Sequence, residues 1–437
     1  MSKARCVARG LFKRMMQAAQ AKVSGAYTPV DEMPNASLER NEPPSEDGPM
    51  NVSKTSVAIS RMTGVLAVVS SLTLTVTAAH SQCPPPSPVE VVASISSPDF
   101  SGIVVTADQR IFLGFPRHAD DHAGPTLAEY RAGKLVPYPD ASISLPGELN
   151  PAKRLVSVHG MTLDSAGTLW LIDDGKEAGK PIQPGAVKVV GIDLKQNRVI
   201  ASVPLPSGVY LPDSHMNDLR VDLTHGVKGT AFITDSSFGD SPALVVVDLA
   251  TGVSRRIFEH SRFTAADTHF MTYLEGEPLV YSNRTPHFPQ GGADGIELSV
   301  DSARLYWTSL SGRELWSAPT SVLSDREATP RQLEDAVTDE GERPNADGLA
   351  RDDAGGIYFG AYDQRSLVRR NPNGSFCVMA HDERLGWPDA LFVQNGYLYV
   401  TLGQWNRLAA FNDGVEKRKP PYLVVRVKLA RSARSLK

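Results

Sequence analysis

Five short polar groups recur along the chain, each placed just before an apolar segment with the alternation of a β-strand. They are His159-Gly160, Asn217-Asp218, Asp294-Gly295, Asp347-Gly348 and Pro388-Asp389. If the strands that follow lie side by side around one axis, the polar side chains converge on one mouth of a central channel. Carboxylate and amide oxygens gathered there suit a hard cation such as Ca²⁺. Asp and Asn also cap turns by accepting backbone hydrogen bonds, so a purely structural role is the alternative.

This convergence defines a candidate site. The predicted ligand-binding or channel-lining residues are His159, Asn217, Asp218, Asp294, Asp347 and Asp389. His215 lies two residues before Asn217 and is a candidate catalytic base near the channel. A loop histidine with no specific role is the alternative for His215. Motifs of serine hydrolases, zinc proteases and phosphate-binding loops are absent from the sequence.

A loose internal repeat supplies the elements that position these groups. Each unit is an apolar strand, a turn rich in Asp and Gly, and a second strand with an aromatic residue, as in GMTLDSAGTLWLID (160–173) and GLARDDAGGIYFGA (348–361). The aromatic residues are Phe112, Trp170, Phe232, Tyr306, Tyr358 and Tyr399. Their spacing suits one four-stranded blade for each unit. The sequence therefore predicts an all-β, six-bladed β-propeller.

The two ends of the repeat region are both strand-like. VEVVASI (89–95) and YLVVRVKL (422–429) are predicted to pair within the last blade and so close the ring. The segment NRTPHFPQGGADG (283–295) is rich in Gly and Pro and is predicted to be a loop at the channel rim. Trp316, Trp387 and Trp405 are expected to pack within blades rather than to form a stacking platform.

The N-terminal region has the pattern of a targeting segment. An uncharged apolar run at 64–79 follows Lys54 and Arg61 and precedes small residues, and it is short for a membrane span. Residues 50–81 are therefore predicted to be a signal peptide, with a signal anchor as the alternative. Residues 1–49 are predicted to be disordered, or an extension upstream of a true start at Met50. The propeller is assigned to 82–437.

This organisation predicts a secreted protein, extracellular or periplasmic, with no stable membrane association after cleavage. The net charge of −4 gives no basic surface, which argues against a nucleic-acid partner. Cys83 and Cys377 are the cysteines outside the targeting region, and they can pair in an oxidising compartment. A buried, unpaired Cys377 is the alternative.

The repeats resemble the major royal jelly protein/yellow family over most of 90–430. The segments that carry the resemblance include RIFLGFPRH (110–118), HMNDLRVDL (215–223), ADGLARDDAGGIYFGAYDQRSLVRRNPNG (346–374) and LGWPDALFVQNGYLYVTLGQWNRL (385–408). The resemblance implies a secreted six-bladed propeller. Insect members include proteins that bind small amines in the central channel and proteins linked to dopachrome conversion.

A more distant similarity is to the senescence marker protein/gluconolactonase propellers, which hold a divalent metal in the channel. Asn217 matches an asparagine of that metal site, and the blade that contains Asp389 matches the one with the catalytic aspartate. On this basis Asn217, Asp294 and Asp389 are the predicted metal ligands, for Ca²⁺ or another divalent cation, and Asp389 is a second catalytic candidate. The glutamate of that family's first blade has no counterpart, because Ser101-Gly102 occupies its place.

Three functions follow as hypotheses. The first is a propeller that binds a small organic ligand in its channel, with tautomerase- or isomerase-like activity as an extension. The second is a metal-dependent lactone hydrolase, in which the cation activates water and an aspartate acts as the base. The third is a protein-interaction scaffold. A propeller fold by itself does not choose among them.

Overall fold

The computed structural model describes residues 83–237, 241–279 and 291–430. The predicted extension (1–49), the predicted signal peptide (50–81) and most of the predicted rim loop lie outside the described residues. Within this range the structure is a six-bladed β-propeller, as predicted. Each blade is an antiparallel sheet of four strands.

The first three blades follow chain order from the channel outwards. Blade 1 contains β2 (Ile103–Val105), β3 (Ile111–Gly114), β4 (Leu127–Arg131) and β5 (Lys134–Pro137). Blade 2 contains β6 (Val158–Leu163), β7 (Thr168–Asp173), β8 (Lys188–Asp193) and β9 (Arg198–Pro204). Blade 3 contains β10 (Met216–Asp222), β11 (Thr230–Asp235), β12 (Ala243–Asp248) and β13 (Ser254–Ile257).

The remaining blades complete the ring. Blade 4 contains β16 (Ala293–Leu298), β17 (Arg304–Ser309), β18 (Glu314–Pro319) and β19 (Thr338–Glu342). Blade 5 contains β20 (Ala346–Arg351), β21 (Ile357–Ala361), β22 (Ser366–Arg370) and β23 (Phe376–His381). Blade 6 contains β24 (Pro388–Gln394), β25 (Tyr397–Leu402), β26 (Tyr422–Lys428) and, outermost, β1 (Val89–Ile95).

Helices are short and lie between strands. They are α1 (Ala141–Ser144), α2 (Thr320–Ser324) and α3 (Pro330–Asp335), with 3₁₀ turns at Pro151–Lys153, Tyr362–Gln364, Trp405–Arg407 and Ala409–Phe411. A two-stranded hairpin, β14 (Tyr273–Leu274) and β15 (Glu277–Pro278), stands apart from the blades. None of the helices that the structure describes combines the length and apolar character needed to cross a membrane.

The ring closes through its two terminal strands, as predicted. β1 pairs antiparallel with β26, from Val89 opposite Val427 to Ile95 opposite Tyr422. Cys83, just before β1, forms a disulfide with Cys377 in β23 of the neighbouring blade. The N-terminal segment is therefore tied to two blades, by backbone hydrogen bonds to one and by a covalent bond to the other.

The core lies between adjacent blades, where each sheet buries both faces. The second strand of every blade carries the aromatic residue that the repeat predicts: Phe112 in β3, Trp170 in β7, Phe232 in β11, Tyr306 in β17, Tyr358 in β21 and Tyr399 in β25. Trp316 is buried between blades with Phe263, their ring centroids 5.0 Å apart, as expected for blade packing. Stacked blades bury what a single sheet leaves exposed.

The inner strands share a local irregularity where the polar groups stand. The register against the second strand shifts between Val158 and Met161, Met216 and Leu219, Ala293 and Ile296, Ala346 and Leu349, and Pro388 and Leu391. Each shift encloses one polar group, so these side chains stand in β-bulges, which change the direction of a side chain and are frequent next to active sites. A Cβ atom on Gly295 would lie 2.3 Å from the backbone oxygen of Asp347. Glycine there lets neighbouring inner strands approach closely.

Candidate functional site

One mouth of the channel is a cavity of about 300 Å³. Five of the six predicted channel residues line it: His159, Asn217, Asp294, Asp347 and Asp389. His215, the candidate base, lines it as well. Asp218 does not; its Oδ2 lies 4.0 Å from Nη1 of Arg220, two residues further along the same strand. The bulges thus bring residues from five blades to one place.

The ends of the second strands complete the cavity. In an antiparallel pair the end of the second strand lies beside the start of the first, so both reach the same mouth. His118, Leu310, Tyr362 and Trp405 all follow second strands and all line the cavity. The polar groups predicted from sequence lie at the starts of the inner strands, so His118 and Tyr362 were not among the predicted site residues. Applying the same rule to the ends of the second strands would have found them.

The two tryptophans at this mouth correct an expectation. Trp387 and Trp405 line the cavity rather than packing only within blades. The indole nitrogen of Trp387 donates to Asp347 Oδ2 over 2.7 Å, and that of Trp405 donates to Asp389 Oδ2 over 2.6 Å. Tyr362 stacks on Trp387 with ring centroids 4.6 Å apart. Their sequence context did not distinguish them from core residues, because a buried indole with a polar partner serves either role.

The carboxyl groups of the channel are held away from water. Burial raises the pKa of Asp294 to about 7 and that of Asp218 to about 6. Burial also raises the pKa of Asp347, with Asp294 nearby adding to the effect, and Asp294 and Asp347 share a hydrogen bond. Burial raises the pKa of Asp389, and the neighbouring Asp347 adds to the effect. Each of these groups therefore keeps its proton to a higher pH than a carboxyl group in water does.

Three histidines meet on the opposite side of the cavity. The ring centroids of His118 and His215 are 4.4 Å apart, and those of His159 and His215 are 4.8 Å apart. Burial lowers the pKa of all three, that of His215 to about 3. The lowered pKa values favour neutral imidazoles at pH 7, and the raised pKa of Asp389 favours its protonated form. Neutral bases and protonated acids share one cavity, an arrangement suited to proton transfer.

Below the cavity a buried arginine crosses the channel. Arg220 of β10 donates through Nε to Glu297 in the next blade over 3.2 Å, and through Nη2 to the backbone oxygen of Leu349 two blades away over 2.7 Å. This side chain forms a polar floor between the cavity and the far end of the channel. These contacts explain the presence of an arginine between two apolar strand residues in HMNDLRVD (215–222).

The predicted metal ligands lie in the cavity but are engaged elsewhere. Nδ2 of Asn217 donates to Ser236 over 3.0 Å, and Ser236 donates to Asp294 Oδ2 over 3.1 Å. Asp389 Oδ2 accepts from Ser101 over 2.7 Å and from Trp405. A cation at Asn217, Asp294 and Asp389 stays a prediction. The side chains that bring three ligand atoms within 4.8 Å of one another, in the described part of the chain, are the three histidines.

Sequence comparison places the chain in a family. A family model described as Major royal jelly protein matches residues 156–434. The chain belongs to the major royal jelly protein family. The match covers blades 2 to 6 apart from β1, and thus all five polar bulges, with His159 among them, and His215. A search of curated proteins found no match for this major royal jelly family member.

Solved structures similar to this royal jelly family propeller include a gluconolactonase, a regucalcin and a lyase. A gluconolactonase from Xanthomonas campestris has 12% identity and a TM-score of 0.46, covering 80% of this chain and 92% of its own. A calcium-binding regucalcin from Agrobacterium tumefaciens has 13% identity and a TM-score of 0.46, covering 79% and 96%. Virginiamycin B lyase from Staphylococcus aureus has 13% identity and a TM-score of 0.43, covering 78% and 99%.

Proposed function

We propose that this major royal jelly family propeller binds a small organic cation with an aromatic ring in its channel cavity. The observation that carries the proposal is the pairing of a carboxyl group with an aromatic side chain on two adjacent blades, Asp347 with Trp387 and Asp389 with Trp405. Aromatic faces and carboxylates together attract organic cations. The volume of about 300 Å³ lies at the lower end of small-molecule sites.

Electrostatics supports this choice of ligand. Among the described residues that line the cavity, no Lys or Arg faces the buried carboxyl groups with raised pKa values, and a bound ammonium group supplies a positive charge. Asp294 Oδ1 is buried and accepts no hydrogen bond in the described part of the protein. A donor from the ligand would satisfy that oxygen. The cavity walls, which include Leu279, Leu310 and Phe411, are apolar and would cover the rest of the molecule.

A second candidate, isomerisation of the bound molecule, rests on the acid and base groups. The lowered pKa of His215 favours a neutral imidazole that can accept a proton, and the raised pKa of Asp389 favours a protonated carboxyl group that can return one. Both line the same cavity, and they stand on different blades. In the protein without bound metal, His215 would remove a proton from an acidic carbon of the substrate, and Asp389 would protonate the distal oxygen.

We also propose that the protein is secreted. The order of basic, apolar and small residues over 50–81 supports export, and the Cys83–Cys377 disulfide suits an oxidising compartment. N-terminal sequencing of the exported protein should find a start near residues 80–82. An uncleaved N-terminus on a membrane-retained protein would contradict the proposal.

The ligand proposal is tested by calorimetry with tyramine and with tyrosol, in which a hydroxyl replaces the ammonium group. We expect tyramine to bind and tyrosol to bind far more weakly. Because the carboxylates must be ionised, tyramine affinity should rise between about pH 5 and about pH 8. Asp347→Asn should weaken it by about 10- to 100-fold, the loss of one charge-assisted hydrogen bond.

Asp301→Asn is the matched control, because it makes the same chemical change in an exposed turn outside the cavity. Its affinity for tyramine should equal that of the wild type. Equal binding of tyramine and tyrosol, or no binding of either, would contradict a cation site. Turnover of a dopachrome-type substrate that is lost in His215→Gln but kept in His225→Gln would support the isomerase candidate.

A further inference from the structure

We infer that His118, His159 and His215 form a binding site for a transition-metal ion, with Zn²⁺ as the expected ion. Their ligand nitrogens all lie within 4.8 Å of one another. A tetrahedral zinc site with Zn–N bonds of about 2.0–2.1 Å separates its nitrogens by about 3.3 Å. The nitrogens therefore have to approach one another by at most about 1.5 Å, and we expect rotation of the rings to provide this change.

Three independent elements present these rings to one point. His118 follows β3 of blade 1, His159 stands in the bulge of β6 in blade 2, and His215 directly precedes β10 of blade 3. The site therefore bridges three consecutive blades. Trp405 from blade 6 lies against His118 in a stacked arrangement with ring centroids 5.7 Å apart, which limits the orientation of that imidazole.

A buried carboxylate supports the site from behind. Asp174 Oδ2 lies 3.8 Å from Nδ1 of His118 and 3.6 Å from Nδ1 of His215. This oxygen and His118 Nδ1 are buried and make no hydrogen bond among the residues that the structure describes. Histidines that bind metals usually donate their second ring nitrogen to a carboxylate or carbonyl. Ligation through Nε2 would draw both Nδ1 atoms towards Asp174 and satisfy these groups.

The third histidine has a different support. His159 is hydrogen-bonded to Asn217, which in turn donates to Ser236 over 3.0 Å. Asn217, the residue predicted from sequence as a metal ligand, is thereby assigned a positioning role behind a ligand. In this inference the metal ion lies on the histidine side of the cavity, whereas the sequence-based prediction places it beside the carboxyl groups.

The donor set decides the class of metal. Three imidazoles with no carboxylate in direct contact suit Zn²⁺, Co²⁺, Ni²⁺ or Cu²⁺, whereas Ca²⁺ and Mg²⁺ prefer oxygen ligands. The three histidines line the cavity, so the fourth coordination position faces its interior. Three protein ligands and one open position are typical of catalytic rather than structural zinc. An oxygen donor on the small-molecule ligand, such as a phenolate, can occupy that position.

The test is metal titration of the purified full chain, stripped of metal by a chelator, with Zn²⁺ and with Co²⁺. We expect one ion per chain by elemental analysis, and visible Co²⁺ absorption of the intensity seen for four- or five-coordinate ions. His118→Gln should abolish stoichiometric binding. Asp174→Asn should weaken Zn²⁺ binding by about 10- to 100-fold, because it loses the acceptor that orients two ligands.

Two controls separate this site from others. His225→Gln changes a histidine that pairs with Asp222 outside the cavity, and it should bind Zn²⁺ as the wild type does. Asp294→Asn removes a carboxylate from the opposite side of the cavity and should also leave Zn²⁺ binding intact. Far-UV circular dichroism must show that every variant is folded.

Absence of bound metal in the folded wild type would overturn the proposal. Stoichiometric binding that survives in both His118→Gln and His159→Gln would overturn it as well. Binding that is lost in Asp294→Asn but kept in the histidine variants would place the ion on the carboxylate side instead. None of these results depends on tyramine, so they test the metal site independently of the proposal that the cavity binds an organic cation.

Discussion

The indole nitrogen of Trp405 lies 2.6 Å from Asp389 Oδ2, and this carboxylate also accepts from the hydroxyl of Ser101. Residues of blade 6 and blade 1 thus meet at one buried carboxyl group. Trp387 and Asp347 repeat the arrangement, with the indole nitrogen of Trp387 2.7 Å from Asp347 Oδ2. An indole donor favours the ionised form of the carboxyl group, opposing the effect of burial.

Replacing Trp405 with Phe should therefore raise the pKa of Asp389 further and weaken tyramine binding. The change removes one donor to the carboxylate and keeps an apolar ring. We expect a loss of about 3- to 30-fold at neutral pH that becomes smaller as the pH is raised. Calorimetry across the pH range measures this effect. Trp170→Phe, on a blade face outside the cavity, is the control, and a pH-independent loss in W405F would contradict the mechanism.

The raised pKa of Asp294 predicts a pH-dependent stability difference. Its pKa is about 7 in the folded protein against an ordinary 3.8. Such a group contributes stability at low pH, and the contribution is lost as the pH rises through the folded value. As the pH rises from about 4 to about 7, the free energy of unfolding of Asp294→Asn should therefore increase relative to that of the wild type. The expected increase is about 1.4 kcal/mol for each pH unit. Urea unfolding at both pH values measures the difference.

The lowered pKa of His215 acts in the opposite direction, but it is common to both proteins and cancels in the comparison. A difference between Asp294→Asn and wild type that stays constant over this pH range would contradict the burial of an uncompensated carboxyl group. Asp301→Asn, in an exposed turn, should show no pH-dependent difference.

Closure of the ring depends on the inward face of β1. Ala93 is 3% exposed, whereas Val91 on the same strand is 48% exposed. Ala93→Asp should destabilise the fold by about 3–5 kcal/mol, because it buries an unpaired charge against β26. Val91→Asp should cost less than about 1 kcal/mol. Chemical denaturation of both variants tests the pairing, and equal effects would show that β1 does not close the blade.

The disulfide should add a second stabilising link at the same place. Replacing Cys83 and Cys377 together with Ser removes a crosslink between residues 294 positions apart. We expect a loss of about 2–4 kcal/mol in the free energy of unfolding. Wild type treated with a reductant should unfold at the same denaturant concentration as the double variant. A wild type that is insensitive to reductant would contradict this contribution.

The glycine in the bulge of β16 should be indispensable. A Cβ atom on Gly295 would lie 2.3 Å from the Asp347 carbonyl oxygen, while one on Gly386 would meet nothing within 4 Å. Gly295→Ala should cost about 1–3 kcal/mol and displace the neighbouring inner strand. Gly386→Ala should be nearly neutral. Thermal melting and tyramine titration of the two variants measure both consequences, and matching behaviour would contradict the close approach.

The sequence by itself determined the fold and part of the site. Alternating strands, Asp- and Gly-rich turns and one aromatic per unit suffice for six blades, because each of these signals is local and each blade repeats it. The position of a polar group before each inner strand is also a local signal. Symmetry then brings His159, Asn217, Asp294, Asp347 and Asp389 to one mouth.

Only the tertiary structure decided which atoms meet there. His118, Asp174 and Tyr362 come from the ends of second strands, and their proximity to the bulge residues depends on how adjacent blades rotate about the axis. Local patterns do not encode that rotation; packing between blades does. The same packing holds the three histidines on one side of the cavity and the carboxyl groups on the other. Repetition fixed the elements, and long-range contacts fixed the chemistry of the cavity.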